Sequence, residues 1–345
     1  MGGFDLLLKE LTAARGVSGN ENDIRALLRG LAEERGASCT VDRIGNLLAT
    51  KDGGDASAPH LLLAAHMDEV GLIVRGVAED GLLRYRPVGG IDPRVLVSKR
   101  VLCGEKQIPG VIGAKAIHLQ TEGDRDRVLQ HKDMAIDIGA KTKAEAEKLC
   151  PPGTYVVFDS PLEAFGDGCV MGRALDDRVG CFALLDALEA GYAGRLTCAF
   201  TVQEEVGLRG AIVAGRSQDY DLAIALEGTS ANDLGDVESV KQVCNVGRGV
   251  ALSHMDHSSI RHPRLRALIE DIARKAGIPC QPKRAISGGN DAGPLQRGAI
   301  AKPTAVLSVP CRYIHSPNSV AALADIQTMC DLVRAVIKAL PQQKF

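Results

Sequence analysis

Apolar positions along the chain fall into three textures. From residue 4 to 35 they recur at helical spacing, with Leu6, Leu7, Leu11, Ile24, Leu27, Leu28 and Leu31 forming one stripe. Gly16-Val17-Ser18-Gly19 interrupts the stripe, so two helices are expected, with Ser18 or Asn20 capping the second. Residues 41–49 read as a strand ending in a polar turn. Residues 61–65, Leu-Leu-Leu-Ala-Ala, are apolar on both faces, the pattern of a buried central strand.

From 70 to 165 the pattern breaks up. Short β-like pieces at 71–77, 82–88, 100–102, 110–112 and 155–158 alternate with Gly, Pro and Asp turns, and 142–149 reads as a small helix. After residue 172 helices and strands alternate. Helices are expected at 177–189, 207–214, 263–275 and 323–340, and strands at 196–202, 222–226 and 305–309. Such alternation predicts an α/β fold with a mixed, largely parallel sheet between helices. The expected organisation is an α/β domain from 1–69 and 166–345, with an inserted β-rich domain at 70–165. A length of 345 residues suits two domains.

The chemistry collects where apolar strands end. Residues 61–65 run into His66-Met67-Asp68, 196–202 into Gln203-Glu204-Glu205, 222–226 into Glu227, and 305–309 on toward His315. Ala174-Leu175-Asp176-Asp177 opens a helix. In open α/β sheets ligands bind beyond the carboxyl ends of the strands, where residues from separate strands converge. Two imidazoles and several carboxylates form an N/O donor set of the kind that holds catalytic divalent metals, often in pairs about 3.5–4 Å apart. Each segment alone has a plainer reading. Glu204-Glu205 could be a solvated turn, and the Asp pair a helix cap.

Composition removes other classes. A net charge of −2 gives no basic patch for nucleic acid, and 3% aromatics with no Trp leave few stacking platforms. No phosphate-binding P-loop and no Gly-x-Ser-x-Gly elbow occur. No apolar run approaches a membrane span, and the start does not read as a secretory signal. The ten cysteines contain no Cys-x-x-Cys pair, so reduced, mostly packed thiols in a cytoplasmic protein are expected.

The motifs together resemble the M42 family of metallo-aminopeptidases, which includes glutamyl, deblocking and tetrahedral (TET) aminopeptidases. The resemblance spans nearly the whole chain: GVSGNE (16–21), DRIGNLLA (42–49), AHMDEVGLIV (65–74), GGIDPRVLVSKRV (89–101), PGVIGAKAIH (109–118), DIGAKTKAEAE (137–147), GRALDDRVG (172–180), QEEVGLRGA (203–211), SGGNDAG (287–293) and RYIHSPNSV (312–320).

This resemblance implies hydrolysis of N-terminal residues from peptides, through a water bridging two divalent metals and activated by Glu204. Zinc or cobalt is expected, or manganese. His66 and Glu205 would bind one metal, Glu227 and His315 the other, and Asp176 would bridge them. Asp68 would orient His66. The α/β domain of 1–69 and 166–345 would be the catalytic one, and the β-barrel-like insertion of 70–165 would mediate dimerisation or assembly into a homo-oligomer, such as a tetrahedral dodecamer.

Two positions depart from the family pattern: Glu227, where many relatives carry Asp, and Asn290, where Thr is common, in a loop expected to line the substrate pocket. An acidic N-terminal preference would need a basic residue in that pocket, and Arg297 and Lys302 lie near the right segments. His254 and His257 read as structural, while His118 and His131 read as surface or interface residues. Two alternatives compete with the aminopeptidase: a glycosidase, which needs two carboxylates and no metal, and a non-catalytic assembly protein on the same fold.

Overall fold

Helices α1 (Gly3–Ala13) and α2 (Asn22–Glu34) precede a hairpin, β1 (Ser38–Val41) and β2 (Leu47–Asp52), and then β3 (Leu61–His66). In this computed structural model residues 3–286 and 288–343 are described, without the side chains of residues 3–5 and 124. Met1, Gly2 and Ser287, part of the expected start and loop motif, lie outside the described residues. The stretch 41–49 is not one strand. Asp42 Oδ1 accepts from the backbone N–H groups of Ile44, Gly45 and Asn46 and folds the turn into its middle. Helix α2 has no side-chain cap, because Ser18 is turned elsewhere.

The chain then forms β4 (Gly71–Val77), β5 (Leu83–Val88), β6 (Arg100–Cys103), β7 (Ile108–Ala114), α3 (Glu122–Arg125), β8 (Met134–Asp137), α4 (Lys143–Leu149) and β9 (Tyr155–Phe158). The six strands close a barrel in the order β4-β5-β8-β7-β6-β9, all pairs antiparallel. It has its own core, including Leu72, Leu83, Ile112 and Ile136. Strand β8 escaped the sequence reading because its four residues are too short a run to show an alternating pattern.

The return path is β10 (Glu163–Phe165), β11 (Cys169–Gly172), α5 (Leu175–Ala190), β12 (Arg195–Thr201), α6 (Arg209–Ser217), β13 (Leu222–Ala231), β14 (Val250–Ser253), α7 (Pro263–Ala276), β15 (Cys280–Lys283), α8 (Ala292–Gln296), β16 (Thr304–Arg312), β17 (Ser319–Ala322) and α9 (Leu323–Ala339). Strand β10 pairs with β11 of the main sheet, so the chain leaves the barrel after β9.

The main sheet runs β1-β2-β12-β3-β13-β16-β17-β11-β10, with β14 and β15 attached beside β16. Its centre, β12-β3-β13-β16, is parallel, and the outer strands are antiparallel. All six residues of β3 are buried, as a strand covered on both faces must be. One face packs on the core containing Leu8, Ile24, Val179, Leu184, Leu265 and Met329. The other, including Leu62, Ala199 and Ala223, meets Ala214 and Leu295. Among the described residues no helix is long and apolar enough to cross a membrane.

Candidate active site

The parallel centre lines up three carboxyl ends. Thr201 of β12 pairs with His66 of β3, and Glu227 of β13 lies two residues beyond the Ala225–Ala64 pair. Glu227 does not follow its strand, as expected, but sits inside it. Strand β13 continues to Ala231 against Val309–Arg312 of β16, and β16 in turn carries the chain to His315.

After β12 the backbone of Gln203 is left-handed (φ 57°). The turn directs the N–H groups of Glu204 and Glu205 at the buried Asp68 carboxylate, at 3.0 and 3.2 Å. The hydroxyl of Ser18 donates to the same carboxylate at 2.6 Å. Burial opposes the charge on Asp68, but His66, Ser18 and the Glu204 N–H hold its pKa below the ordinary value. Asp68 therefore positions the whole 203–205 turn as well as His66. The contact of His66 Nδ1 at hydrogen-bond distance is the Asp68 backbone carbonyl, at 3.0 Å, and the carboxylate lies at 3.6 Å.

The Asp pair divides its work. Both residues have non-helical backbone angles at the start of α5 and are joined by a cis peptide. Asp177 Oδ1 accepts from Gly180 N–H at 3.0 Å, three residues on, so Asp177 is the cap. Asp176 is left to enter the site. Two glycines allow the close packing. A Cβ on Gly180 would lie 2.4 Å from the Asp177 carboxylate, and one on Gly228 would lie 2.9 Å from Asp176 Oδ1.

His66, Asp176, Glu204, Glu205, Glu227 and His315 all line one cavity of about 560 Å³. The donors sort into two sets, each spanning less than 4.8 Å: His66, Asp176 and Glu227, and Asp176, Glu205 and His315. His66 Nε2 is 3.4 Å from Asp176 Oδ1 and 3.9 Å from Glu227 Oε2. His315 Nε2 is 3.7 Å from Asp176 Oδ2 and 3.1 Å from Glu205 Oε2. In the structure Glu227 groups with His66 and Glu205 with His315, the reverse of the expected pairing. The reason is strand order. Strand β13 lies directly beside β3, while the 203–205 turn swings Glu205 toward the loop after β16. Asp176 presents one oxygen to each set.

Electrostatically the cluster is dominated by carboxylates and includes no Lys or Arg among the described residues. Burial pushes Glu204 up to about 8 and lifts Glu205 and Glu227 well above the ordinary carboxylate value, with their acidic neighbours adding to the effect. Burial also opposes the charge on His66, yet Glu204, Asp176 and Asp68 raise its pKa well above 6.5. Asp177 Oδ2 and Asp291 Oδ1 are buried without a partner. Convergent N and O donors with unbalanced negative charge fit divalent cations.

Other expectations resolve here. Asn290 donates to Asp256 at 2.8 Å and accepts from Ala292 N–H at 3.0 Å, so its side chain braces the loop, while Gly288 and Gly289 line the cavity with it. The brace Asp256 lies beside His257, on the loop before α7. His254 faces Arg266, and neither it nor His257 belongs to a metal-competent group among the described residues. His131 is tied to its own barrel by the Ile91 carbonyl and the edge of Tyr85, whereas His118 is exposed.

Arg297 donates to Gly293 O and Lys302 lies 5.9 Å over the Tyr220 ring, and neither lines the cavity. Lys283 does. It is the cavity's one Lys or Arg among the described residues, and no described carboxylate pairs with it.

The family model for M42 glutamyl aminopeptidase matches residues 45–332. The lysyl aminopeptidase of Pyrococcus furiosus is 31% identical, over 98% of this chain and 98% of its own. Among solved structures, the TET aminopeptidase of a marine-sediment Thaumarchaeota archaeon superposes with a TM-score of 0.94 at 32% identity, covering 98% of this chain and 97% of that one. The Pyrococcus horikoshii TET1 peptidase, which can assemble into a tetrahedron or a large octahedral shell, gives 0.86 at 35%, covering 97% and 99%. The chain belongs to the M42 family of aminopeptidases, peptide hydrolases whose membership implies divalent metal ions.

Proposed function

We propose that the chain is a dinuclear metal-dependent aminopeptidase with Glu204 as general base and acid. The observation that carries this is the pair of ligand sets sharing Asp176, in one cavity with an unligated Glu204. Two divalent ions there would lower the pKa of water and polarise the peptide carbonyl. His66 and Glu227 would hold one ion, Glu205 and His315 the other, with Asp176 between them. Asp68, through the two N–H groups it accepts, fixes where Glu204 stands. Glu204 takes the proton of the attacking water and returns it to the leaving amine, a role worth about 10²–10⁴-fold in rate. Zinc, cobalt and manganese all suit this donor set.

Family members differ in the N-terminal residue they take, glutamyl in the family's description and lysyl in the Pyrococcus furiosus relative. Lys283 supports an acidic preference here, because it leaves one uncancelled positive charge in the cavity wall. Homo-oligomeric assembly through the barrel is supported by the TET relatives and by exposed Ile117, Leu119 and Val128 on that domain. Ten unbridged cysteines fit a reducing cytoplasm.

The test is a panel of glutamyl, alanyl and lysyl p-nitroanilides. Chelation should abolish turnover, and zinc, cobalt or manganese should restore it. The glutamyl substrate should lead, and Lys283→Glu should shift the preference toward lysyl by about tenfold. Turnover that survives full chelation overturns the reading.

A further inference from the structure

A second cavity, also of about 560 Å³, opens beside the first and shares Ile314 and His315 with it. The loop bearing His315 is the wall between the two. The far wall of the second cavity is the barrel's 90–99 loop, so the inserted domain borders the reaction centre directly.

The charges of that loop are unequal. Arg94 is spent on Asp92, with its Nε 3.0 and 2.9 Å from the two carboxylate oxygens. Arg100 pairs with Asp159 at 2.6 Å. Lys99 lines the cavity half-buried and has no ion pair among the described residues. Asn318, on the opposite wall, accepts from Ser160 through Oδ1, which leaves its amide Nδ2 free to donate. The second cavity therefore carries one uncancelled positive charge and a hydrogen-bond donor, with Val95, Val97 and Ile314 as apolar surface.

An aminopeptidase holds a single residue on one side of the reacting bond and the rest of the peptide on the other. Both ligand sets and Glu204 line the first cavity, whose wall carries Lys283, Thr229 and Ser230. The longer arm leaves past His315. Resting on the aminopeptidase reading above, we propose that the second cavity seats the residues downstream of the cleaved bond, and that Lys99 there pairs with a carboxylate of the substrate. Two sources supply that carboxylate: the C-terminus of a short peptide or an acidic side chain within a longer one.

The experiment uses the metal-loaded, full-length protein and three peptides: trialanine as free acid, trialanine amide, and alanyl-alanyl-aspartyl amide. Wild type should take the free acid with a KM up to about fivefold below that of the amide, the scale of a partly exposed ion pair. The ratio should fall to about one in Lys99→Met, persist in Lys99→Arg and invert in Lys99→Glu. A lower KM for the free acid than for the aspartyl amide assigns the charge to the C-terminus, and the reverse order assigns it to a side chain. Equal KM values for all three peptides in wild type, or a preference that Lys99→Met leaves intact, overturn the subsite alone. Failure to hydrolyse these peptides together with the glutamyl, alanyl and lysyl p-nitroanilides overturns the aminopeptidase reading, and the subsite with it.

Discussion

The two halves of the candidate metal centre are built differently. His66 ends a fully buried strand, is 2% exposed, and is backed by Asp68 and Ser18. His315 stands on a loop, is 38% exposed, and has a left-handed backbone (φ 58°). Glu227 is held within paired β13, whereas Glu205 comes from a turn whose place depends on Asp68. Strand-borne ligands are fixed before a metal arrives, and loop-borne ones leave more ordering to be done on binding. The His66 half should thus bind its ion more tightly.

The largest effect should separate the two histidines. His66→Ala should lose both ions and reduce turnover by at least about 10³-fold, because Asp176 loses the partner that organises it. His315→Ala should retain about one ion per chain by elemental analysis while also losing most activity. Equal metal loss in the two variants would mean that the two halves bind their ions alike.

The next effect concerns what holds the turn. Asp68→Ala should weaken metal binding or turnover by about 10–100-fold, and Ser18→Ala by a smaller factor in the same direction. If Ser18→Ala matched or exceeded Asp68→Ala, the hub role given to Asp68 would fail.

The smallest effect is thermal. In the metal-free protein burial raises Glu204 to about 8 and Asp291 to about 6, with Glu205 and Glu227 well above their ordinary value. The folded state then holds protons that the unfolded chain has released, so metal-free stability falls as pH rises from about 5 to about 8. Bound dications replace those protons. The Tm difference between metal-loaded and chelated protein should therefore widen over that interval, by on the order of 5 °C. A difference independent of pH would contradict the picture of uncompensated carboxylates.

Much of this was legible in the sequence because it depends on local runs. The apolar stretch at 61–65 is the buried central strand, and the segments after 66, 203 and 315 do reach one cavity. What was not legible depends on strand order and on turns. Spacing alone does not say that β13 lies beside β3, so Glu227 is expected with His315 rather than with its spatial neighbour His66. Ser18 looked like a helix cap, and only the Val17–Glu69 bridge and the approach of 16–19 to Asp68 give it another partner. Lys283 gave no motif signal, because β15 carries it to the cavity from a stretch with no pattern of its own. The Asp pair could be read as cap or ligand, and in the structure Asp177 caps the helix while Asp176 lines the cavity.

In the proposed mechanism Glu204 moves the proton, while the five other side chains would hold the metals. Glu204→Gln tests it directly: metal content and alanine p-nitroanilide turnover are measured on the same preparation. About two ions per chain should remain, as in wild type, with turnover reduced at least about 10²-fold. A metal-loaded Glu204→Gln enzyme with near-normal turnover would contradict it.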